Sequence, residues 1–186
     1  PVVIDDTRSQ LSRVDRTLQM PSAYTPQLRP DDYRCFLVDW PDTDTMYVTG
    51  MGVQPGHPEI VHHVIAFLAK PDQVADFQAL DDAEPGPGWT CFGGPGGQEG
   101  GTGWVGAWAP GVLGTDYPAG TGIEIPPGSK VVMQVHYNTS TAEPVAGQSS
   151  IVVKVDPSVD KKAVIMPWTD VKWVLQHQMD IPAHTS

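Results

Sequence analysis

The sequence predicts an all-β protein, an antiparallel β-sandwich of jelly-roll type with about eight strands and one short helix. Two observations predict it. Short runs rich in valine and isoleucine recur at regular intervals, with turn residues between them. Glycine and proline are each present 19 times in 186 residues, whereas charged residues make up only 18%. Together these features point to strands joined by many turns.

The elements follow in order. Residues 1–30 are polar and irregular, with Pro21, Pro26 and Pro30 punctuating their end. The stretch from Asp5 to Leu18 has room for a turn or two of helix, but the expectation is a leader or linker that wraps the domain. Strands are expected at 33–38, 46–53, 61–68, 104–108, 122–125, 130–137, 150–155 and 172–181. One helix is expected at 71–83, opened by proline and closed by acidic residues. Acids at a helix C-terminus oppose the macrodipole, so this helix should be short and exposed. The glycine-rich stretch 93–103 reads as a surface loop. It lacks the Gly-Lys-[Ser/Thr] ending of a phosphate loop, which argues against nucleotide binding.

Composition narrows the class further. A chain of this length suits one domain with a real core, or a domain plus a tail. Eleven basic and 22 acidic residues give a formal charge of -11. Nucleic acid and anionic membrane are poor partners for such a surface, because their phosphates would repel it. No apolar run approaches the roughly 20 residues that cross a bilayer. No signal peptide is visible and the chain opens at Pro1, which suggests a processed or excised piece. The two cysteines, Cys35 and Cys91, are far apart and form no Cys-x-x-Cys pair. Composition alone leaves them as buried thiols or as a disulfide, and a disulfide implies an oxidising compartment.

The chemistry lies in the histidines. His62 and His63 open the apolar run Val61-His-His-Val-Ile-Ala-Phe-Leu68, and His136 sits in Val131-Val-Met-Gln-Val-His-Tyr137. Three imidazoles on two apolar strands make a nitrogen-rich set that suits copper, zinc or non-haem iron. Neighbours in a regular strand point to opposite faces, so His62 and His63 reach one ion only where the backbone bends. Pro55, Gly56 and Pro58 just upstream supply turn residues for such a bend. The structural alternative is one buried, hydrogen-bonded histidine and one exposed. Gln134 and His136 share one face of their strand, a polar pair that suggests a wet or metal-holding site.

Four pieces, in order, resemble the N-terminal domain of the copper type II, ascorbate-dependent monooxygenases, the family of peptidylglycine α-hydroxylating monooxygenase and dopamine β-monooxygenase. They are Tyr33-Arg-Cys35, Ile60-Val-His-His-Val64, Ala107-Trp-Ala-Pro-Gly111 and Gln134-Val-His-Tyr-Asn138. The leader and the runs 71–84 and 93–103 look closest to bacterial members. The resemblance implies that His62, His63 and His136 ligate the electron-donating (H-site) copper, that Cys35 and Cys91 form a disulfide, and that Gln134 helps to position His136. It implies a periplasmic or extracellular protein loaded with electrons by ascorbate or another reductant. It also implies a partner, a second domain whose own copper activates dioxygen and attacks a C–H bond of a small-molecule or peptide substrate. That second copper needs a His-x-His pair and a methionine, and this sequence has no His-x-His. Residues 31–176 are therefore expected to be the copper sandwich, and 177–186 the start of a missing second domain. On this reading the chain is not catalytically complete alone.

Other readings of the same residues are a stand-alone copper-binding or electron-transfer module, a zinc hydrolase with Glu59 as its nearest acid, and a structural sandwich with incidental histidines. His57 is expected in a solvated turn, His177 at a surface edge near Met179, and His184 at a frayed end. The six tryptophans and Met133 are expected in the core rather than beside a cofactor. Asn138-Thr-Ser140 has the pattern of a glycosylation sequon.

Overall fold

The computed structural model describes residues 11–97, 103–166 and 172–173. The valine- and isoleucine-rich runs form strands, as β-branched side chains do when they pack on a pleated surface. The described strands are β1 (Arg16–Gln19), β2 (Asp31–Asp39), β3 (Met46–Gln54), β4 (Val61–Ala69), β5 (Trp89–Thr90), β6 (Trp104–Trp108), β7 (Thr115–Asp116), β8 (Thr121–Ile125), β9 (Lys130–Asn138), β10 (Ser150–Asp156) and β11 (Lys161–Lys162). One helix, α1 (Val74–Ala83), lies between β4 and β5. The strands make two sheets, one ordered β1-β10-β3-β8-β11 with β7 paired to β3, the other β5-β2-β9-β4-β6. Pairing is antiparallel throughout, except for the short contact of β11 with β8. This is the predicted sandwich.

Alternation along β9 shows how the layers are built. Val131, Met133, Val135 and Tyr137 enter a buried cluster shared with Val48 and Val53 of β3 and Ile151, Val153 and Val155 of β10. Val132, one step out of phase, joins a second cluster with Cys35, Leu37, Phe67, Phe77 and Trp89. The five-stranded sheet is thus covered on both faces over part of its length, which is why its strands read as unbroken apolar runs. Helix α1 supplies the outer cover by laying Phe77 against Trp89, with ring centroids 6.1 Å apart. Burying such a side chain contributes about 1.5–3 kcal/mol. At Gly88 the chain passes so close to β2 that an added Cβ would sit 2.2 Å from the Cys35 carbonyl oxygen.

Four expectations need correction. From residue 11 onwards the supposedly irregular leader is woven into the sandwich: β1 pairs with β10, and Leu18, Met20 and Tyr24 are in the core, whereas residues 1–10 lie outside the described residues. Residues 11–18 take no helical turn. The helix begins at Val74 rather than at Pro71, because the Lys70 carbonyl first accepts from the amides of Gln73 and Val74 in a turn. It is also not wholly exposed, since Phe77 is buried. Part of the glycine-rich loop is packed rather than free, with Gly97 against the Phe77 ring and Gly96 against Leu80. The run 172–181 lies outside the described residues apart from Lys172 and Trp173, which are helical rather than extended.

Candidate metal centre

The site forms where the outer face of the five-stranded sheet loses its cover. Along that face of β9, Val132 is in the helix-covered cluster, Gln134 is 2% exposed, and His136 is 5% exposed next to the exposed His62. His63 is the direct cross-strand partner of His136. Between β4 and β9 the register jumps from Val61↔Tyr137 to His63↔His136, so two residues of β4 face one of β9. This bulge absorbs the extra residue, keeps Val61 and Val64 in the core, and turns both adjacent histidines outward. The bend is therefore at His62 itself. The upstream turn is a separate feature, in which the His57 carbonyl accepts from the amides of Ile60 and Val61.

The three rings converge. One donor atom from each of His62, His63 and His136 lies within 4.8 Å of the other two, a grouping that could hold a metal ion. The His63 Nδ1 is 3.4 Å from the His62 Nδ1 and 3.3 Å from the His136 Nδ1. Bare lone pairs at that range repel unless a proton or a cation lies between them. Burial, then the charges of His136 and His62, pull His63 down to about 4. Burial also lowers His136, partly offset by its hydrogen bond to the Asp31 carboxylate. Both shifts favour the neutral ring, the form in which imidazole binds metals.

The surroundings fix the rings. Tyr33, the β2 partner of His136, stacks on it with centroids 4.0 Å apart and planes within 5°. Phe92, 81% exposed, meets Tyr33 edge-on at 4.9 Å. On the other side of the ring, His136 Nε2 lies 2.8 Å from Asp31 Oδ1, which also accepts the Asn138 side-chain amide at 2.7 Å. Those two bonds lower the Asp31 carboxyl, that from Asn138 first. Beside His63 an open apolar groove of about 380 Å³ is lined by Ile65, Trp104, Ala107, Trp108, Ala109 and Val112. The Trp108 indole donates to the Val112 carbonyl at 2.6 Å and so pins the groove wall.

Several sequence expectations meet this geometry directly. Cys35 and Cys91 are joined in a disulfide. The Gln134 amide does not reach His136. It donates to the carbonyls of Cys91 and Gly94, each at 3.3 Å, and so anchors the disulfide loop. Asp31, missed in the sequence, takes the place expected of Gln134. Glu59 is paired with His57 at 3.1 Å, and the other His57 ring nitrogen contacts the Ala146 carbonyl at 3.0 Å. His57 is therefore a loop tether rather than a merely solvated residue. Met133, Trp40, Trp89 and Trp108 are buried as expected, whereas Trp104 lies in the groove and Trp173 is exposed. His177, Met179 and His184 lie outside the described residues.

Fold and site together define a β-sandwich domain with a candidate metal centre of three imidazoles. Residues 17–144 match the family model of the copper type II ascorbate-dependent monooxygenase N-terminal domain. The match covers more than half of the chain, and the chain belongs to this family. It starts within β1, in the segment expected to be a leader. Comparison with curated proteins gives no match.

Proposed function

We propose that the chain is the electron-donating domain of a copper-dependent monooxygenase, with His62, His63 and His136 as the ligands of one copper. The observation that carries this reading is the convergence of three ring nitrogens, with no carboxylate among the donors, in a chain of this family. The donor set fits: neutral imidazoles suit copper, and a low ligand charge favours its reduced form. Copper held there would supply one-electron chemistry, accepting an electron from ascorbate or another reductant and handing it on.

The chain's own residues prepare that chemistry. The bulge at His62 brings two adjacent rings to one face, and Asp31 and Tyr33 hold the third. His62 stays exposed, which leaves an edge of the cluster open to a small reductant. A second copper domain, which the resemblance assigns to a continuation from 177–186, is the proposed partner for dioxygen activation and C–H hydroxylation of a small-molecule or peptide substrate. The disulfide suits a periplasmic or extracellular setting. Among the described residues no helix is long and apolar enough to cross a membrane. The zinc-hydrolase reading loses support, because Glu59, its candidate base, is engaged by His57.

The test is reduction. The copper-loaded chain mixed with ascorbate should lose its Cu(II) EPR signal with uptake of one electron per copper. A signal that persists in excess ascorbate would count against electron donation.

A further inference from the structure

We propose that Asp31 is a positioning residue for His136: its carboxylate holds the ring with hydrogen on Nε2, leaves the Nδ1 lone pair facing His63, and strengthens that nitrogen as a donor. The inference rests on the copper reading above and adds a residue that the ligand set does not contain.

The geometry carries it. The Tyr33 ring, parallel to His136 at 4.0 Å, restrains the plane of the imidazole but does not tell apart the two orientations related by a half-turn about the Cβ–Cγ bond. A half-turn would exchange Nδ1 with Cδ2 and bring Cε1 to the carboxylate in place of Nε2. The bond from Nε2 to Asp31 Oδ1, at 2.8 Å, selects the orientation that turns Nδ1 towards His63, and a carboxylate acceptor places the proton on Nε2. The carboxylate is itself fixed. Asp31 pairs with Asn138 across β2 and β9, and the Asn138 amide donates to the same oxygen at 2.7 Å. Just before Asp31, the Pro30 carbonyl accepts from the Thr139 amide at 2.7 Å and from its hydroxyl at 3.2 Å. The acid thus sits on a strand end clamped at backbone and side chain. A carboxylate behind a ligating imidazole raises ligand basicity and fixes the tautomer. Because its negative charge favours the more positive ion, it should hold Cu(II) more firmly than Cu(I).

The experiment has a metal-free arm and a copper arm. In the apo chain, imidazole 15N shifts of His136 should show a protonated Nε2 and a bare Nδ1. Asp31→Ala should move the proton towards Nδ1, whereas Asp31→Asn, which keeps an oxygen acceptor, should preserve the wild-type pattern. In the copper arm, Asp31→Ala should weaken Cu(II) binding about 10–100-fold. Asp31→Asn should lower the preference for Cu(II) over Cu(I) about tenfold, raising the reduction potential by about 59 mV. An unchanged His136 tautomer and unchanged Cu(II) affinity in Asp31→Ala would overturn the proposal, as would an unshifted potential in Asp31→Asn. If the wild type takes up no copper, the functional reading fails, and the 15N shifts still decide whether Asp31 sets the tautomer.

Discussion

The Nδ1 atom of His63 lies 3.3 Å from the Nδ1 atom of His136, its direct partner across β4 and β9. The pairs that follow in the same register, Val64 with Val135 and Ala66 with Met133, are fully buried. A one-residue slip would expose those side chains and separate the two rings at once. The core between the sheets therefore sets the spacing of the donor atoms. The three imidazoles converge without a loop having to fold around an ion, and preorganisation on rigid strands keeps such a site precise.

His136 is the member of the cluster held most firmly, by Asp31 on one edge and Tyr33 on one face. Replacing it with alanine is expected to lower copper affinity at least about 100-fold while preserving the β-sheet circular dichroism signal. A competition titration measures the affinity. One tight copper equivalent retained in His136→Ala would contradict the three-histidine site.

The Cys35–Cys91 bond spans 56 residues and ties β2 to the loop that Gln134 anchors. By the chain-entropy relation, such a crosslink contributes about 4 kcal/mol. Reduction is then expected to lower the thermal midpoint by roughly 10 °C in a chain of this size. Calorimetry with and without a strong reductant, with free thiols counted by mass spectrometry, checks this. Full reduction with an unmoved midpoint would refute it.

Phe77 fills the outer cluster beneath α1, a different face of the fold from the inter-sheet core. Phe77→Ala should cost about 3–5 kcal/mol in denaturant unfolding. Copper stoichiometry should stay unchanged, because Phe77 packs on Trp89 and Gly97 rather than on the histidines. A loss of copper without a loss of stability would mean that the helix supports the site more directly than the packing indicates.

The long strands were legible because their apolar runs exceed a few residues. Strands β5, β7 and β11 have two residues each, too few for any periodicity to register. Strand β1 was missed because only Leu18 of its four residues faces the core, a pattern that also fits a polar loop. The three histidines stood out as polar residues in apolar strands. The bulge that unites His62 with His63 did not, since it exists only relative to β9. Asp31 was invisible for a similar reason: it lies 105 residues from His136 and reads alone as a surface acid at a strand start. Gln134 misled because sharing a face with His136 does not decide which way a long amide reaches.

The acid limb of stability has a specific source at Asp116. The Lys154 ammonium, followed by the Ser12 hydroxyl, pulls its carboxyl down from 3.8 to about 2. A carboxyl lowered in the folded state contributes stability that is complete above its unfolded value and fades as pH falls through its folded value. Stability is therefore expected to drop between about pH 4 and pH 2, and Asp116→Asn should flatten that part of the profile. Urea midpoints across this range measure it, and identical slopes for the two proteins would rule out Asp116 as a contributor.

The central claim is a copper centre built from His62, His63 and His136. Metal content of the chain after copper reconstitution, paired with EPR of the Cu(II) form, tests it most directly. The account predicts one copper per chain with a nitrogen-rich type II signal that disappears in His62→Ala. Substoichiometric copper, preferential zinc, or a signal untouched by that substitution would contradict it.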